Sequence, residues 1–261
     1  MKFTNLFKGL LDLNDDKTFV LDREPLLKLA ETHHDTYHTK SPFPHTVIDS
    51  FLPTKIANTA LKHFPPPDAS LWLDWKQRDT IHQPKKLGVG SAQRLSYASP
   101  ILQHILFTLN SYAMLEFLET LTGIEGLISD PHFTGGGLHQ ILPGGKLEIH
   151  SDFNFDQKLK LYRRINVLIF LNKNWQEDYG GHLELWESTM TRCVKRILPV
   201  FNRCVIFNTD ANSCHGHPEP LKTPPHITRK SIALYYYSRD PKPGDDNVRT
   251  TDWRTRPTNT T

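Results

Sequence analysis

The sequence of this 261-residue chain predicts an α+β fold, with helices in the N-terminal third and a β-core in the remainder. Two observations support this. The segment 100–121 carries apolar residues mostly at helical spacing, whereas after residue 130 short apolar runs alternate with Gly- and Pro-rich turns. Several short strands at close spacing are typical of an all-β barrel or a double-sheet jelly roll. We therefore expect a barrel or jelly-roll core with supporting helices.

The first 130 residues are expected to be mixed, with helix dominant. A short strand is predicted over 43–49, after a proline turn, and a helix over 53–63 that ends before three consecutive prolines. One or two packed helices are predicted over 100–121. The polar, tryptophan-containing segment 70–99 is expected to form loops with short strands.

Four apolar runs predict the main strands of the β-core: 164–171, 182–186, 203–207 and 230–237. They are rich in β-branched or aromatic residues and are separated by Gly- or Pro-containing segments, which favours strands over helices.

Three parts are predicted along the chain. Residues 1–40 form an N-terminal extension, and residues 41–240 form a single jelly-roll domain that would carry any catalytic site. Within it, 41–130 provide helical or mixed support and 131–240 provide the core strands. Residues 241–261 form a C-terminal tail.

The two ends of the chain show only weak patterns. Residues 1–13 have apolar positions interrupted by polar and charged ones, which predicts a short amphipathic helix rather than a signal peptide. A membrane-surface anchor is the less favoured interpretation. The tail is expected to run over the surface, where only Val248 and Trp253 suggest that it docks.

Composition excludes several classes of protein. The net charge of +3, with no block of Lys and Arg, gives no basis for nucleic-acid binding. No run approaches the roughly 18 apolar residues of a membrane span, so no membrane partner is expected. The three cysteines have no CxxC spacing, which suits a reducing compartment and predicts a cytoplasmic protein. The oligomeric state is left open.

The pair His150 and Asp152 is the most informative feature of the sequence. Residues two apart on a strand point to the same face, so both side chains can reach one point in space. In a chain with 14 histidines such a pair also arises by chance. A histidine from a distant strand would complete a two-His, one-carboxylate triad with open coordination positions, the geometry of non-haem Fe(II) oxygenases.

Two histidines compete to be the third ligand. Both follow the apolar strand 203–207, where a jelly roll would return a ligand to the same end. We favour His215, because Gly216 lets the backbone approach closely and turn away. His217, which precedes a proline, is then expected to line the pocket or support the ligands.

Arg229 and Ser231 form a predicted anion clamp at the start of the last apolar strand. Alternation places both side chains on one face, and a guanidinium fork with a hydroxyl suits a carboxylate. A surface arginine is the simpler interpretation, but the apolar run that follows implies a core location, where an arginine needs an anionic partner.

Three further residues are candidates for the pocket. His139 could face it by alternation, although structural hydrogen bonding explains it as well. His182 could line it or lie on the outside of the barrel. Asn154 could orient a substrate or form a turn.

The order of these parts resembles a known family. From about residue 135 to 238 the chain contains, in order, GGKLEIHSDFN, RRINVLIFLNKNW, YGGHLELW, CHGHPEPL and TRKSIALYYYS. This segment resembles the Fe(II)/2-oxoglutarate-dependent oxygenases, in particular the prolyl 4-hydroxylase-like branch. The earlier stretch FPHTVIDSFLP is similar to the strand that begins the catalytic region in that branch. The resemblance implies a double-stranded β-helix as the jelly-roll core.

The resemblance also assigns roles to residues. His150, Asp152 and His215 match the iron ligands, and Arg229 matches the residue that binds the distal carboxylate of 2-oxoglutarate, with Ser231 assisting. The implied cofactors are Fe(II), 2-oxoglutarate and O2, with ascorbate as a reductant.

The chain departs from the family pattern near the cosubstrate. Phe170 stands where many relatives have a tyrosine, and it cannot donate a hydrogen bond. Ile141 and Leu147 stand where aromatic residues are common. These changes concern the affinity for 2-oxoglutarate more than the reaction, and they imply that Ser231 or a nearby histidine contributes a donor.

The expected function is hydroxylation of an unactivated C–H bond in a prolyl or other amino-acid residue of a peptide or protein, with succinate and CO2 as coproducts. A free amino acid or a small metabolite is the alternative substrate. Two other classes stay open: a cupin-type metalloenzyme that works without 2-oxoglutarate, and a non-catalytic jelly-roll binding module.

Overall fold

The computed structural model describes residues 19–73, 79, 81–245 and 247–256. The amphipathic helix predicted over 1–13 lies outside these residues. Within them, no helix has the length and the apolar character needed to cross a membrane.

Helices are concentrated in the first half of the chain and strands in the second. The helices are α1 (Arg23–Tyr37), α2 (Thr54–Lys62), α3 (Ala92–Leu95), α4 (Pro100–Leu109) and α5 (Tyr112–Thr122). The first strands are β1 (His45–Ile48), β2 (Lys86–Gly88), β3 (Ile128–Ser129), β4 (Gly137–Ile141), β5 (Leu147–Ser151), β6 (Phe155–Asp156) and β7 (Leu161–Phe170). The remaining strands are β8 (Leu183–Trp186), β9 (Cys193–Ile197), β10 (Cys204–Asn208), β11 (Cys214–His217), β12 (Arg229–Ser238) and β13 (Asp252–Trp253).

The strands form two sheets, and every pairing described between them is antiparallel. The larger sheet has the order β1-β10-β7-β12-β4-β2, with β3 added to β12 and β6 added to β7. The smaller sheet has the order β13-β5-β11-β8-β9. An apolar cluster joins Phe170, Val205 and Phe207 of the larger sheet to Leu183 and Leu185 of the smaller one. The two sheets therefore face each other, as in a jelly roll.

Alternation along β7 and β12 gives the larger sheet two different faces. On one face, a buried cluster joins these strands to the helices; its sheet residues include Ile165, Val167, Ile169, Ile232, Leu234 and Tyr236. The residues in between point toward the smaller sheet and include Asn166, Leu168, Arg229, Ser231 and Tyr235. The outer face is thus the hydrophobic core, and the inner face is free to carry polar groups.

The helices cover the outer face of the larger sheet. Helix α4 begins with Pro100, which is favourable at a first helical position. Helix α5 ends at Gly123, whose φ of 63° is the left-handed conformation that glycine adopts readily. Helix α1 packs against α5, and the Tyr37 hydroxyl donates to Asn208 Oδ1 at 2.7 Å. The described part of the predicted N-terminal extension therefore shares the core of the domain.

The structure confirms the predicted α+β fold with a double-stranded β-helix and supporting helices. The helix predicted over 53–63 is α2, and the apolar segment 100–121 is the pair α4 and α5, which are separated by a turn at Asn110 and Ser111. The four main apolar runs are β7, β8, β10 and β12, each within a few residues of its predicted bounds.

The C-terminal tail differs from its prediction. Residues 252–253 form β13, which pairs with β5 at the edge of the smaller sheet, with Trp253 opposite His150. The physical reason is that β5 pairs with β11 on one side only, so its other edge offers unpaired backbone groups. Trp253 docks, as expected. Val248, the other residue that suggested docking, does not dock, since it is 55% exposed.

Candidate metal centre

His150, Asp152 and His215 come together on the smaller sheet. His150 lies on β5, Asp152 directly follows that strand, and His215 lies on β11 with its Cα opposite that of His150. The Nε2 atom of each histidine is 3.6 Å from a carboxylate oxygen of Asp152. All three side chains are buried, and one possible ligand atom of each lies within 4.8 Å of the others.

The backbone holds both imidazoles in the form that binds a metal. Nδ1 of His150 lies 2.8 Å from the carbonyl oxygen of Glu148, and Nδ1 of His215 lies 2.9 Å from that of Ser213. A carbonyl oxygen only accepts, so each Nδ1 carries the proton and donates. Each Nε2 lone pair is therefore directed at the cluster, the arrangement expected of metal-ligating histidines.

Asp152 is held as a carboxylate by two neighbouring side chains. Its Oδ2 accepts a hydrogen bond from Asn166 Nδ2 at 2.8 Å and lies 2.9 Å from Arg163 Nη2. Burial alone would raise the pKa of Asp152. The positive charge of Arg163, together with His215 and His150, outweighs burial and holds the pKa well below its usual value.

Arg163 is part of a buried network that sequence reasoning missed. Its Nε and Nη2 donate to Asn166 Oδ1 at 2.9 and 2.7 Å, and its guanidinium lies 3.4 Å from the ring centroid of Tyr235. An asparagine inside the apolar run 164–171 was the available signal, because a buried amide needs hydrogen-bond partners.

His215 is neutral over a wide pH range. Burial and the neighbouring His150 lower its pKa to about 4, although Asp152 acts in the opposite direction. A neutral imidazole is the form that a metal requires. Two neutral imidazoles and one carboxylate fit Fe(II) and leave positions open for other ligands.

The metal cluster lines a cavity of about 210 Å³. The predicted anion clamp, Arg229 and Ser231, lines the same cavity from the larger sheet. Ile141 and Leu147, which stand where the family commonly has aromatic residues, also line the cavity. Phe170 lies under Arg229, whose guanidinium carbon is 4.8 Å from the centroid of the Phe170 ring.

Arg229 is a buried cation with an anchored side chain. It is 6% exposed, and its Nε donates to the carbonyl oxygen of Gly181 at 2.8 Å. A side chain at Gly181 would crowd it, since an added Cβ would lie 3.1 Å from Arg229 Cδ. Burial lowers the Arg229 pKa to about 9. Within the described residues no carboxylate forms an ion pair with it, so the site fits a carboxylate supplied by a ligand.

His217 and His139 also line the cavity. His217 is 2% exposed, and burial, with the charges of Arg229 and Lys86, lowers its pKa well below the usual value. Nε2 of His139 donates to the carbonyl oxygen of Gly135 at 2.9 Å, and burial lowers its pKa to about 3. His217 lies beside the cluster without being a member of it, whereas His215 is a member.

The structure corrects two predicted pocket residues. His182 precedes Leu183, which faces the cavity, so alternation turns His182 away, and its Nε2 contacts Glu177 Oε1 at 2.7 Å. Asn154 holds the tail instead of facing the cavity. Its amide nitrogen donates to the Asn247 carbonyl at 2.8 Å, and its amide oxygen accepts from Arg249 N at 2.9 Å.

Two cavity residues come from segments to which the sequence assigned no role. Lys86, on β2, lines the cavity, and burial lowers its pKa to about 8. Trp253 lines it from the tail; its ring stacks on His82 at 4.5 Å and lies 5.0 Å from the ring of His150. The sequence indicated that Trp253 docks but not that it reaches the cavity, and no local pattern distinguishes Lys86 from a surface lysine.

Comparison with known proteins identifies the family that the β-core of the chain matches. Residues 136–237 match the model of the 2OG-Fe(II) oxygenase superfamily. The chain carries a 2OG-Fe(II) oxygenase domain. The matched segment runs from the turn before β4 to the end of β12, and it therefore contains the metal cluster and the Arg229 clamp. The oxygenase is accordingly a 2-oxoglutarate-dependent dioxygenase that uses Fe(II), 2-oxoglutarate and O2.

Solved structures share the fold of the oxygenase at low identity. A prolyl hydroxylase from Trichoplax adhaerens, in complex with a hypoxia-inducible-factor peptide fragment, is 16% identical with a TM-score of 0.56, over 85% of this chain and 96% of that one. A prolyl-4-hydroxylase from Pseudomonas putida is 18% identical with a TM-score of 0.53, over 81% and 100%. A third, from Phytophthora capsici, is 18% identical with a TM-score of 0.55, over 84% and 66%. No curated protein matches the chain.

Proposed function

We propose that this oxygenase hydroxylates an unactivated C–H bond of a prolyl or other amino-acid residue in a peptide or protein, with succinate and CO2 as coproducts. The observation that carries the proposal is that one cavity is lined both by the His150–Asp152–His215 cluster and by the buried, unpaired guanidinium of Arg229, within the described residues.

The residues of the chain position and protect the reactants. When bound, Fe(II) and 2-oxoglutarate supply the oxidising chemistry. His150, Asp152 and His215 would hold the metal from one side and leave the cavity side open, while Arg229 would orient 2-oxoglutarate by its distal carboxylate. The lining side chains would limit the access of water to the reacting atoms.

The presence of Asp152 supports hydroxylation over halogenation. A halogenating site needs room for a chloride ion at the metal, which a small residue at this position would leave. Asp152 fills that position with a carboxylate held by Arg163 and Asn166.

The size of the cavity supports a substrate that presents one small group. At about 210 Å³ the cavity is smaller than the roughly 300–1,000 Å³ of typical ligand pockets. A side chain projecting from a peptide fits this space better than a large natural product. The fold likeness to prolyl hydroxylases, one of them in complex with a peptide, is compatible with this choice.

The charge of the cavity favours a second candidate, a free amino acid or other small anionic metabolite. Lys86, Arg163 and Arg229 line the cavity, and Asp152 is the only carboxylate among its described lining residues. A substrate carboxylate would complement this excess of positive charge.

The test is succinate formation by the Fe(II)-loaded protein with 2-oxoglutarate and O2, supplied either with proline-containing peptides or with free amino acids. Substrate-dependent succinate is expected with the peptides, and stimulation by free amino acids alone would favour the second candidate. His150→Ala should abolish both succinate formation and the weak visible absorption band of the anaerobic Fe(II)–2-oxoglutarate complex. His182→Ala, at a histidine outside the cavity, should retain both. An active His150→Ala variant would contradict the proposal.

A further inference from the structure

His217 is a buried polar residue whose ring nitrogens lack partners in the described part of the chain. The residue is 2% exposed, and neither Nδ1 nor Nε2 has a hydrogen-bond partner among the described residues. The metal ligands differ in this respect, because each of their Nδ1 atoms donates to a backbone carbonyl. A buried polar group without a partner costs stability, so it requires an explanation beyond packing.

His217 lines the cavity that also holds the metal cluster and the anion clamp. It lies two residues after His215 on β11 and lines the same cavity. On the neighbouring strand its Cα is opposite Leu147, while that of His215 is opposite His150. Arg229 and Ser231 line this cavity as well, from the larger sheet.

A carboxylate bound beside Arg229 can accept a further hydrogen bond. The Nε atom of Arg229 is already bonded to the carbonyl oxygen of Gly181, and the ring of Phe170 beneath the guanidinium has no donor. A carboxylate has about four acceptor sites. A neutral imidazole has one N–H donor and can supply a further bond.

We propose that His217 donates a hydrogen bond to the distal carboxylate of 2-oxoglutarate and, together with Arg229, forms its binding site. The inference rests on 2-oxoglutarate being the cosubstrate. The imidazole then donates the hydrogen bond that the ring of Phe170 cannot donate. The carboxylate of the bound 2-oxoglutarate would be the missing hydrogen-bond partner of the buried His217.

The test measures binding rather than turnover. 2-Oxoglutarate is titrated calorimetrically into the Mn(II)-loaded protein, its His217→Leu variant and its His217→Gln variant. His217→Leu should raise the Kd for 2-oxoglutarate about tenfold or more, because a hydrogen bond to a charged group is lost. His217→Gln, whose amide can donate, should lose less. The Kd for Mn(II) should not change.

A second ligand separates direct contact from a structural role. 2-Oxopentanoate has the same chain length as 2-oxoglutarate but no distal carboxylate, so its Kd should be equal in the wild type and in both variants. A loss of affinity for the two ligands by the same factor would overturn the inference, as would an unchanged Kd for 2-oxoglutarate in His217→Leu.

Control measurements test whether the variants fold and whether 2-oxoglutarate is the cosubstrate. His45→Leu replaces another buried histidine, on β1 and outside the cavity, and should leave the Kd for 2-oxoglutarate unchanged. If His217→Leu does not fold, His217→Met and His217→Gln provide the same comparison. Failure of the wild type to bind 2-oxoglutarate at all would refute the cosubstrate itself, which is a different outcome from equal binding by wild type and variant.

Discussion

At the scale of single residues, the site depends on side chains that support the three predicted ligands. Asp152 lies in a buried cavity, where burial works against its ionised form, and Arg163 offsets this effect. The guanidinium also contacts the ring of Tyr235 and the amide of Asn166, so several partners hold it in one orientation. The metal affinity of the cluster is therefore expected to depend on a residue that touches no metal.

Replacing Arg163 tests this dependence. In Arg163→Met the pKa of Asp152 should rise, because burial is no longer opposed by the guanidinium, and protons should compete with the metal. The Kd for Mn(II) at pH 7 is expected to increase roughly 10- to 100-fold, measured by calorimetry on folded protein.

Two further variants make the Arg163 experiment specific. Arg163→Lys keeps the charge and should lie between the wild type and Arg163→Met. Arg164→Met is the matched control, since the neighbouring arginine bonds Ser238 Oγ and does not line the cavity. Equal Mn(II) affinity in Arg163→Met and the wild type would show that Arg163 does not support the ligand.

At the scale of elements, the C-terminal strand β13 is part of the metal site. It adds to the free edge of β5, and Arg254 N donates to the Ile149 carbonyl at 2.7 Å just beyond the pair. This places Trp253 against both His82 and His150. The tail therefore closes one side of the cavity and covers an edge that would otherwise be exposed.

Trp253→Ala should weaken this closure. Loss of the ring contacts, each about 0.5–1.5 kcal/mol beyond area burial, should lower the thermal unfolding midpoint by several degrees. It should also speed metal loss to a chelator, because the ring no longer shields His150. Val248→Ala, at an exposed position of the same tail, should match the wild type in both measurements. A Trp253→Ala variant that loses metal no faster than the wild type would mean that the tail is not part of the site.

At the scale of the whole molecule, burying histidines in the cavity couples folding to pH. Burial is the largest cause in each case: it lowers the pKa of His139 to about 3 and that of His215 to about 4, and it also depresses that of His217. In the unfolded chain each has a pKa of about 6.5. Between these values the unfolded state binds more protons than the folded state, so the free energy of unfolding falls as the pH falls.

The metal-free protein should therefore lose stability as the pH drops from about 6.5 toward 4. Each buried histidine contributes up to about 1.4 kcal/mol per pH unit below its unfolded pKa. Urea unfolding in the presence of a chelator, between pH 7.5 and 5, measures the effect. In His139→Gln the slope should be smaller, because one of the titrating groups is gone. A free energy of unfolding that is constant over this range would contradict the prediction.

Features that depend on local periodicity and on the order of motifs were predictable before the structure. Spacing of two on a strand places His150 and Asp152 on one side, and the same alternation places Arg229 and Ser231 on the inner face of β12. Apolar runs between Gly- and Pro-rich turns predicted a barrel or a jelly roll, because the two-residue period of a strand and the chemistry of turns are local properties. The order of the motifs, through its family resemblance, favoured the jelly roll.

The distant residues that meet at the site are brought together by the packing of the two sheets and the pairing of their strands. Arg163 and Asn166 reach Asp152 through the packing of two sheets, and Trp253 reaches His150 through a pairing between residues about 100 apart. No local rule specifies the register between strands. The same limit explains why the predicted pocket position of His182 was wrong. Alternation places His182 and Leu183 on opposite faces of the strand, but it does not determine which face lies toward the cavity. His217 and Arg229 line one cavity for the same reason, because they lie on different sheets that only the fold brings together.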